Sequence, residues 1–259
     1  MILRGDFFSD TLRMTSNIQV LIPDQGKEPY RIAYLFHGLH GDQGTWLDYT
    51  MLPYFAKNFN TIFVMPEVGR SFYLNLKYGR KYYDYVSDEL PRICRKNFNI
   101  SADRENTAVM GCSMGGYASL LLALTRPDQF GFCGAISSAL LDFKKLLKNL
   151  INDPQPYLDT GAEAEATYAD LRCMYGEELG FRQDLDIPWL VENFPADTPK
   201  PMIYSTCGTE DELRKGNIEL TRQMKNTDFN YTYEEWPGIH DWYFFNDALK
   251  KTLEFWEKN

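Results

Sequence analysis

The stretch Gly111-Cys112-Ser113-Met114-Gly115-Gly116, GCSMGG, stands between NTAVM (106–110) and YASLLLALTRP (117–127). An apolar, β-branched run enters it and an apolar helical pattern leaves it, which predicts a strand turning directly into a helix. Glycines alone would account for a tight β–α connection. A G-x-S-x-G turn also has a chemical use, because it forces its serine into a strained, exposed position from which Oγ attacks a carbonyl. With glycine near 7% of ordinary sequence, the bare pattern arises by chance in about one chain of this length in ten. Its surroundings decide what it means.

Those surroundings alternate. YRIAYLFHG (30–38), TIFVMPE (61–67), TAVMGCS (107–113), FCGAISS (132–138), PMIYSTCG (201–208) and YTYEEWPG (231–238) read as buried strands. Helical patterns fall between them: TMLPYFAKNF (50–59), YDYVSDELPRICRKNF (83–98, interrupted or kinked at Pro91), GGYASLLLALTRP, IELTRQMKN and the terminal DALKKTLEFWEK. Two alternating runs in the first thirty residues suit antiparallel edge strands. Together these predict an α/β fold with a mostly parallel central sheet covered by helices on both faces. One segment breaks the rhythm. Residues 141–200 carry charged helical pieces and the run DTGAEAEATYADL but no buried strand. This insertion is either a surface excursion or a cap over a site, since loops at the carboxyl ends of parallel strands carry function. No repeat or low-complexity linker divides the chain, so residues 1–259 read as a single domain.

Composition narrows the function. The 259 residues carry a formal net charge of −9, and a chain without basic excess is a poor partner for nucleic acid or an anionic membrane. Five scattered cysteines, with no C-x-x-C pair, read as free thiols in a reducing compartment. The N-terminus, broken by Arg4, Asp6, Asp10 and Arg13, lacks the apolar core of a signal peptide. A cytoplasmic protein is expected, with self-association left open.

A serine attacks well only when a base takes its proton, usually a histidine. There are three. His37 ends the strand YRIAYLFHG and reads as packing beneath the next loop. His40, within that loop, either contacts substrate or faces solvent. His240, in WPGIHDWYFF, follows the last strand, where the chain order Ser…Asp/Glu…His places the base. The acid belongs on the loop after the preceding strand, and YSTCGTEDEL offers Asp211 there, with Glu210 as the alternative. Asp241, next to His240 in the chain, is badly placed to face its Nδ1. An oxyanion hole would combine the N–H of Met114 with that of Leu39 from FHGLHGDQGTW. That loop lacks both the dinucleotide fingerprint and the G-K-[ST] ending of a phosphate loop. No spacing suggests metal ligands, and no cofactor is expected. His40, Trp46 and Trp189 are candidate substrate contacts, with Tyr157, Tyr168 and Phe194 further aromatics of the insertion.

Taken together, LFHGLHGDQGTW, GCSMGGYASLLLALTRPDQFG, CGTEDEL and GIHDWYFF, in that order, resemble the esterase D-like α/β-hydrolases. That group includes tributyrin esterases, S-formylglutathione hydrolases, feruloyl and acetylxylan esterases, and mycolyltransferases. The resemblance is nearest to the compact bacterial tributyrin-esterase-like members. It implies an α/β-hydrolase fold, a Ser113–His240–Asp211 triad and an oxyanion hole at Leu39 and Met114. It further implies a serine carboxylesterase acting on small acyl esters through an acyl-enzyme, with acetyl or cinnamoyl esters of sugars among the candidates. Cys112 departs from the histidine often found before the nucleophile. The SGLTC type of loop that marks S-formylglutathione hydrolases is not present, which weakens that alternative. Acyl transfer to an alcohol shares the same intermediate, and a non-catalytic binding protein on this fold is the remaining contrast.

Overall fold

The computed structural model describes residues 1–139, 141 and 143–259; Asp142, inside the expected insertion, lies outside them. Eight strands form one sheet: β1 (Ile2–Ser9), β2 (Met14–Leu21), β3 (Arg31–Phe36), β4 (Thr61–Pro66), β5 (Thr107–Cys112), β6 (Phe132–Ile136), β7 (Met202–Gly208) and β8 (Tyr231–Trp236). Their spatial order is β1-β2-β4-β3-β5-β6-β7-β8. β1 and β2 form an antiparallel hairpin, and β2 meets β4 antiparallel. From β4 onward every neighbouring pair is parallel.

The parallel strands hide the alternation expected of a half-buried strand. Along β3, Ile32, Tyr34 and Phe36 enter one apolar core while Ala33 and Leu35 enter the other. Successive side chains point to opposite faces, and helices cover both, so the strand reads as a continuous hydrophobic run.

Before β5 the helices are α1 (Thr45–Tyr49), α2 (Leu52–Phe55), α3 (Tyr82–Asp84) and α4 (Leu90–Asn97). A π-helical turn over Tyr85–Glu89 joins α3 to α4. The break expected at Pro91 therefore falls just ahead of it, and Pro91 sits in the first turn of α4, where its missing N–H costs little. After β5 come α5 (Met114–Thr125), α6 (Phe143–Asn152), α7 (Gln155–Leu158), α8 (Ala162–Tyr175), α9 (Ile187–Glu192), α10 (Arg214–Met224) and α11 (Trp242–Lys258). Elements α6 to α9 occupy the interval between β6 and β7. No helix among the described residues is long and apolar enough to cross a membrane.

The sheet order reverses at its centre, with β4 on one side of β3 and β5 on the other. Such a switch point opens a crevice at the carboxyl ends of the strands. The loop after β3 begins at His37, and Ser113 directly follows β5.

Candidate active site

Ser113 links β5 to α5 with no intervening loop, at φ 55° and ψ −117°. A non-glycine residue held there stores strain of order 1–3 kcal/mol. The surrounding backbone enforces it: Ser113 N–H donates to the Ile136 carbonyl (2.9 Å), and the Ser113 carbonyl accepts from Tyr117 (3.1 Å) and Ala139 (3.1 Å). The glycines serve a different need. A Cβ on Gly115 would stand 2.4 Å from the Phe36 carbonyl oxygen, and one on Gly111 2.6 Å from the Gly115 backbone. They allow β3, β5 and α5 to approach closely, while the left-handed backbone falls on the serine itself.

Ser113 opens into a cavity of about 590 Å³, which Gly38, Leu39, His40, Met114 and His240 also line. Asp211 is buried, and its Oδ2 lies 2.9 Å from His240 Nδ1. Its Oδ1 accepts the Leu213 N–H at 2.8 Å. Burial alone would raise the Asp211 pKa, yet these hydrogen bonds and the His240 charge hold the carboxyl below its usual range. Glu210 and Asp241, the other acids weighed for this role, are occupied elsewhere. Glu210 Oε2 accepts the Gly238 N–H (2.6 Å), pinning the loop that carries His240, and Asp241 Oδ1 caps α11 by accepting from Phe244 (2.9 Å). Phe245 stands edge-on to the His240 ring at 5.0 Å and 86°.

Met114 opens α5, so its N–H belongs to the first turn, where amides have no intrahelical acceptor. His37 is buried, and its Nδ1 donates to the Gly38 carbonyl at 2.8 Å. Gly41 N–H reaches the same oxygen at 3.0 Å. The Gly38 carbonyl and the Leu39 N–H belong to one planar peptide, so fixing the first fixes the direction of the second. Cys112 is buried, and burial pushes its thiol pKa well up, leaving an inert neighbour. The five cysteines are free thiols, of which only Cys173 is partly exposed.

Two candidate contacts need correction. Trp46 is fully buried, with Nε1 donating to the Phe36 carbonyl at 2.9 Å, so it cannot reach a ligand. It instead supports Trp242, edge-on at 5.2 Å and 87°, and Trp242 lines the cavity. Trp189 does not line the cavity. Its helix α9 packs against α5, with Ile187 and Val191 buried. Nor do Tyr168 or Phe194 line it, whereas Tyr157 does; Phe194 packs edge-on against Phe229 at 5.0 Å. His40 lines the cavity while pairing with Glu163 of α8 at 3.1 Å. Arg70, in the loop after β4, binds Glu163 and Asp170 at 2.8 Å each, tying α8 to the cavity mouth. Arg70 and then His40 hold the Glu163 pKa down at about 2. Sequence reasoning missed Tyr49, Phe72, Glu163 and Trp242 as lining residues. Only Trp242 carried a local signal, two places after His240.

A switch-point crevice, a serine on a strained strand–helix turn and, lining the same cavity, a histidine backed by a buried carboxylate define an α/β-hydrolase of the serine-hydrolase type. The model of the Esterase family, described as "Putative esterase", matches residues 9–255, and the chain belongs to that family. A curated acetyl esterase of Caldicellulosiruptor saccharolyticus is 29% identical, over 99% of this chain and 98% of its own. Among solved structures, the substrate-bound fluorophosphonate-binding serine hydrolase FphF of Staphylococcus aureus superposes with a TM-score of 0.84 at 25% identity, covering 99% of this chain and 98% of its own. The S-formylglutathione hydrolase FrmB of the same organism gives 0.82 at 26% identity and the same coverage. The protein is a carboxylic ester hydrolase.

Proposed function

We propose that the protein is a serine carboxylesterase that cleaves small acyl esters, acetyl esters foremost, with Ser113, His240 and Asp211 as its triad. The observation that carries this reading is that His240, held at 2.9 Å by the buried Asp211, lines the cavity onto which the strained Ser113 opens. Bonded to Asp211 through Nδ1, His240 leaves Nε2 to accept the Ser113 proton as Oγ attacks the ester carbonyl. The tetrahedral oxyanion accepts hydrogen bonds from the Leu39 and Met114 amides. On collapse the protonated His240 gives its proton to the departing alcohol, and the acyl group stays on Oγ. Water, deprotonated by His240, then releases the acid and restores Ser113.

Residues 141–200 act as the cap in this reading, which is supported by Tyr157, Glu163 and Thr167 on the cavity wall. The similarity to FrmB favours S-formylglutathione as the second substrate to try. A panel of aryl, sugar and glutathione esters of increasing acyl length, assayed with wild type and Ser113→Ala, tests the reading. Activity of Ser113→Ala within tenfold of wild type would overturn it.

A further inference from the structure

β1 is the outer strand of the sheet, paired with β2 on one side only. It runs for eight residues, ILRGDFFS, without a proline. Ile2 is 43% exposed, Leu3 40% and Phe8 61%. A strand edge of that length with apolar side chains in the open is a template for another strand. The phase of the ladder shows which residues it offers. Met1 and Ile22 exchange both backbone bonds, at 2.7 and 2.9 Å. In an antiparallel pair the bonded positions recur at every second residue, so Leu3, Gly5, Phe7 and Ser9 also turn their amides and carbonyls toward β2. The other side of β2 keeps the same phase, since the Asn17 carbonyl accepts the Glu67 N–H just past β4. Ile2, Arg4, Asp6 and Phe8 therefore direct their N–H and C=O groups outward, where among the described residues no backbone partner meets them.

We propose that β1 is the docking edge for a second copy of this chain, joined antiparallel about a twofold axis at Gly5. The partner follows from charge. Outward residues must face outward residues, which leaves few symmetric registers. A twofold at Arg4 or at Asp6 sets like charges opposite each other. One at Leu3 sets Arg4 against Ile2, and one at Phe7 sets Asp6 against Phe8. Centred on Gly5, it sets Arg4 of each copy against Asp6 of the other and Ile2 against Phe8, every pair exchanging two backbone bonds. Arg4 reaches Asp48 of α1 at 3.3 Å, both side chains largely exposed, so its guanidinium keeps donors for a second carboxylate. Side chains alternate along a strand, which puts Ile2, Asp6 and Phe8 on that same face. On the opposite face Leu3 and Phe7 border a groove of about 190 Å³ with Ile93, Asn97 and Phe98, and the register brings Leu3 of each copy onto Phe7 of the other. A Cβ on Gly5 would meet nothing within 4 Å, so the centre is open. The far edge of the sheet, β8, spends Glu234 and Glu235 on Lys251 and Arg214. A β1–β8 contact would also run on as an open filament, whereas the twofold closes.

Sedimentation velocity on the full chain, with any affinity tag at the C-terminus, tests the interface between about 1 and 100 µM. Wild type should sediment as a dimer at the upper end of that range. Arg4→Asp and Asp6→Arg should each raise the dissociation constant at least about tenfold, because either reversal sets like charges opposite each other at two symmetric places. Mixed together, the two variants should form a heterodimer, and the double swap Arg4→Asp/Asp6→Arg should dimerise again. Gly5→Cys should give a disulfide-linked dimer on mild oxidation with copper phenanthroline, since residues facing each other at a non-hydrogen-bonded pair lie about 4.5 Å apart, within disulfide reach. Near-ultraviolet circular dichroism of every variant should match wild type, which separates lost association from lost folding. A wild type that stays monomeric at the highest concentration, or a dimer indifferent to both reversals, would overturn the proposal. So would single variants that do not recombine, or a Gly5→Cys variant that stays unlinked. Particles that keep growing past the dimer would overturn it as well, by putting a different edge against β1.

Discussion

Asp211 places one carboxylate oxygen 2.9 Å from His240 Nδ1 and the other 2.8 Å from the Leu213 N–H, so both oxygens are engaged. An asparagine fits the same space but loses the charge that favours the imidazolium. Asp211→Asn should cost at least about a hundredfold in kcat, short of the roughly ten-thousandfold of the serine-protease template. Glu210→Gln should cost little, because Glu210 spends its carboxylate on the Gly238 backbone at the surface. Steady-state kinetics on one aryl acetate compares the two, and a crippled Glu210→Gln beside a nearly silent Asp211→Asn would reassign the acid.

The elements that carry this pair were legible because strong local patterns mark them. β3 to β7 are short apolar runs ending in glycine or turn residues, β8 (YTYEEW) is a more polar strand at the sheet edge, and the G-x-S-x-G turn sits where β5 meets a helix. What decided the cavity wall was tertiary. Trp46 and Trp189 look like ligand contacts in sequence because tryptophan is common at sites. Nothing local says that Trp46 reaches back to the Phe36 carbonyl or that α9 turns away toward α5. The tie between Arg70 and Glu163 spans 93 residues, beyond the reach of any periodicity. The role of Gly115 was likewise hidden, since its closest contact is with Phe36 at the end of β3, far away in the chain.

His37 gives the fold a pH dependence. Burial holds its pKa below the ordinary value, outweighing its bond to Gly38 and the nearby Glu67 and Asp42, which favour the charged form. In the unfolded chain it titrates near 6.5, so below about that pH the unfolded state binds a proton that the fold resists. Its contribution to stability is full above about pH 6.5 and declines as the pH falls toward the folded value. Asp211, depressed in the fold, weakens stability only at more acid pH, as it becomes protonated. The thermal midpoint should therefore fall between pH 7.5 and 5.5, and His37→Gln should flatten that fall. An identical slope in the variant would remove His37 as the cause.

Tyr157 and Trp189 should separate cleanly. Tyr157 lines the cavity and Trp189 does not. Apolar pockets discriminate by about 1–3 kcal/mol per methylene. Tyr157→Ala should thus shift the ratio of kcat/KM for butyryl and acetyl esters several-fold. Trp189→Ala should leave that ratio unchanged, while lowering the thermal midpoint through lost packing. A changed ratio in Trp189→Ala would mean that α9 reaches the acyl group during turnover.

The most direct measurement is intact-mass and peptide mapping after treatment with an alkyl fluorophosphonate, which transfers its phosphonyl group to an activated serine oxygen and expels fluoride. One adduct per chain is expected, on Ser113, formed in step with loss of esterase activity and strongly slowed in His240→Ala. An adduct on another residue, or esterase activity that survives complete labelling of Ser113, would contradict the assignment of Ser113 as nucleophile.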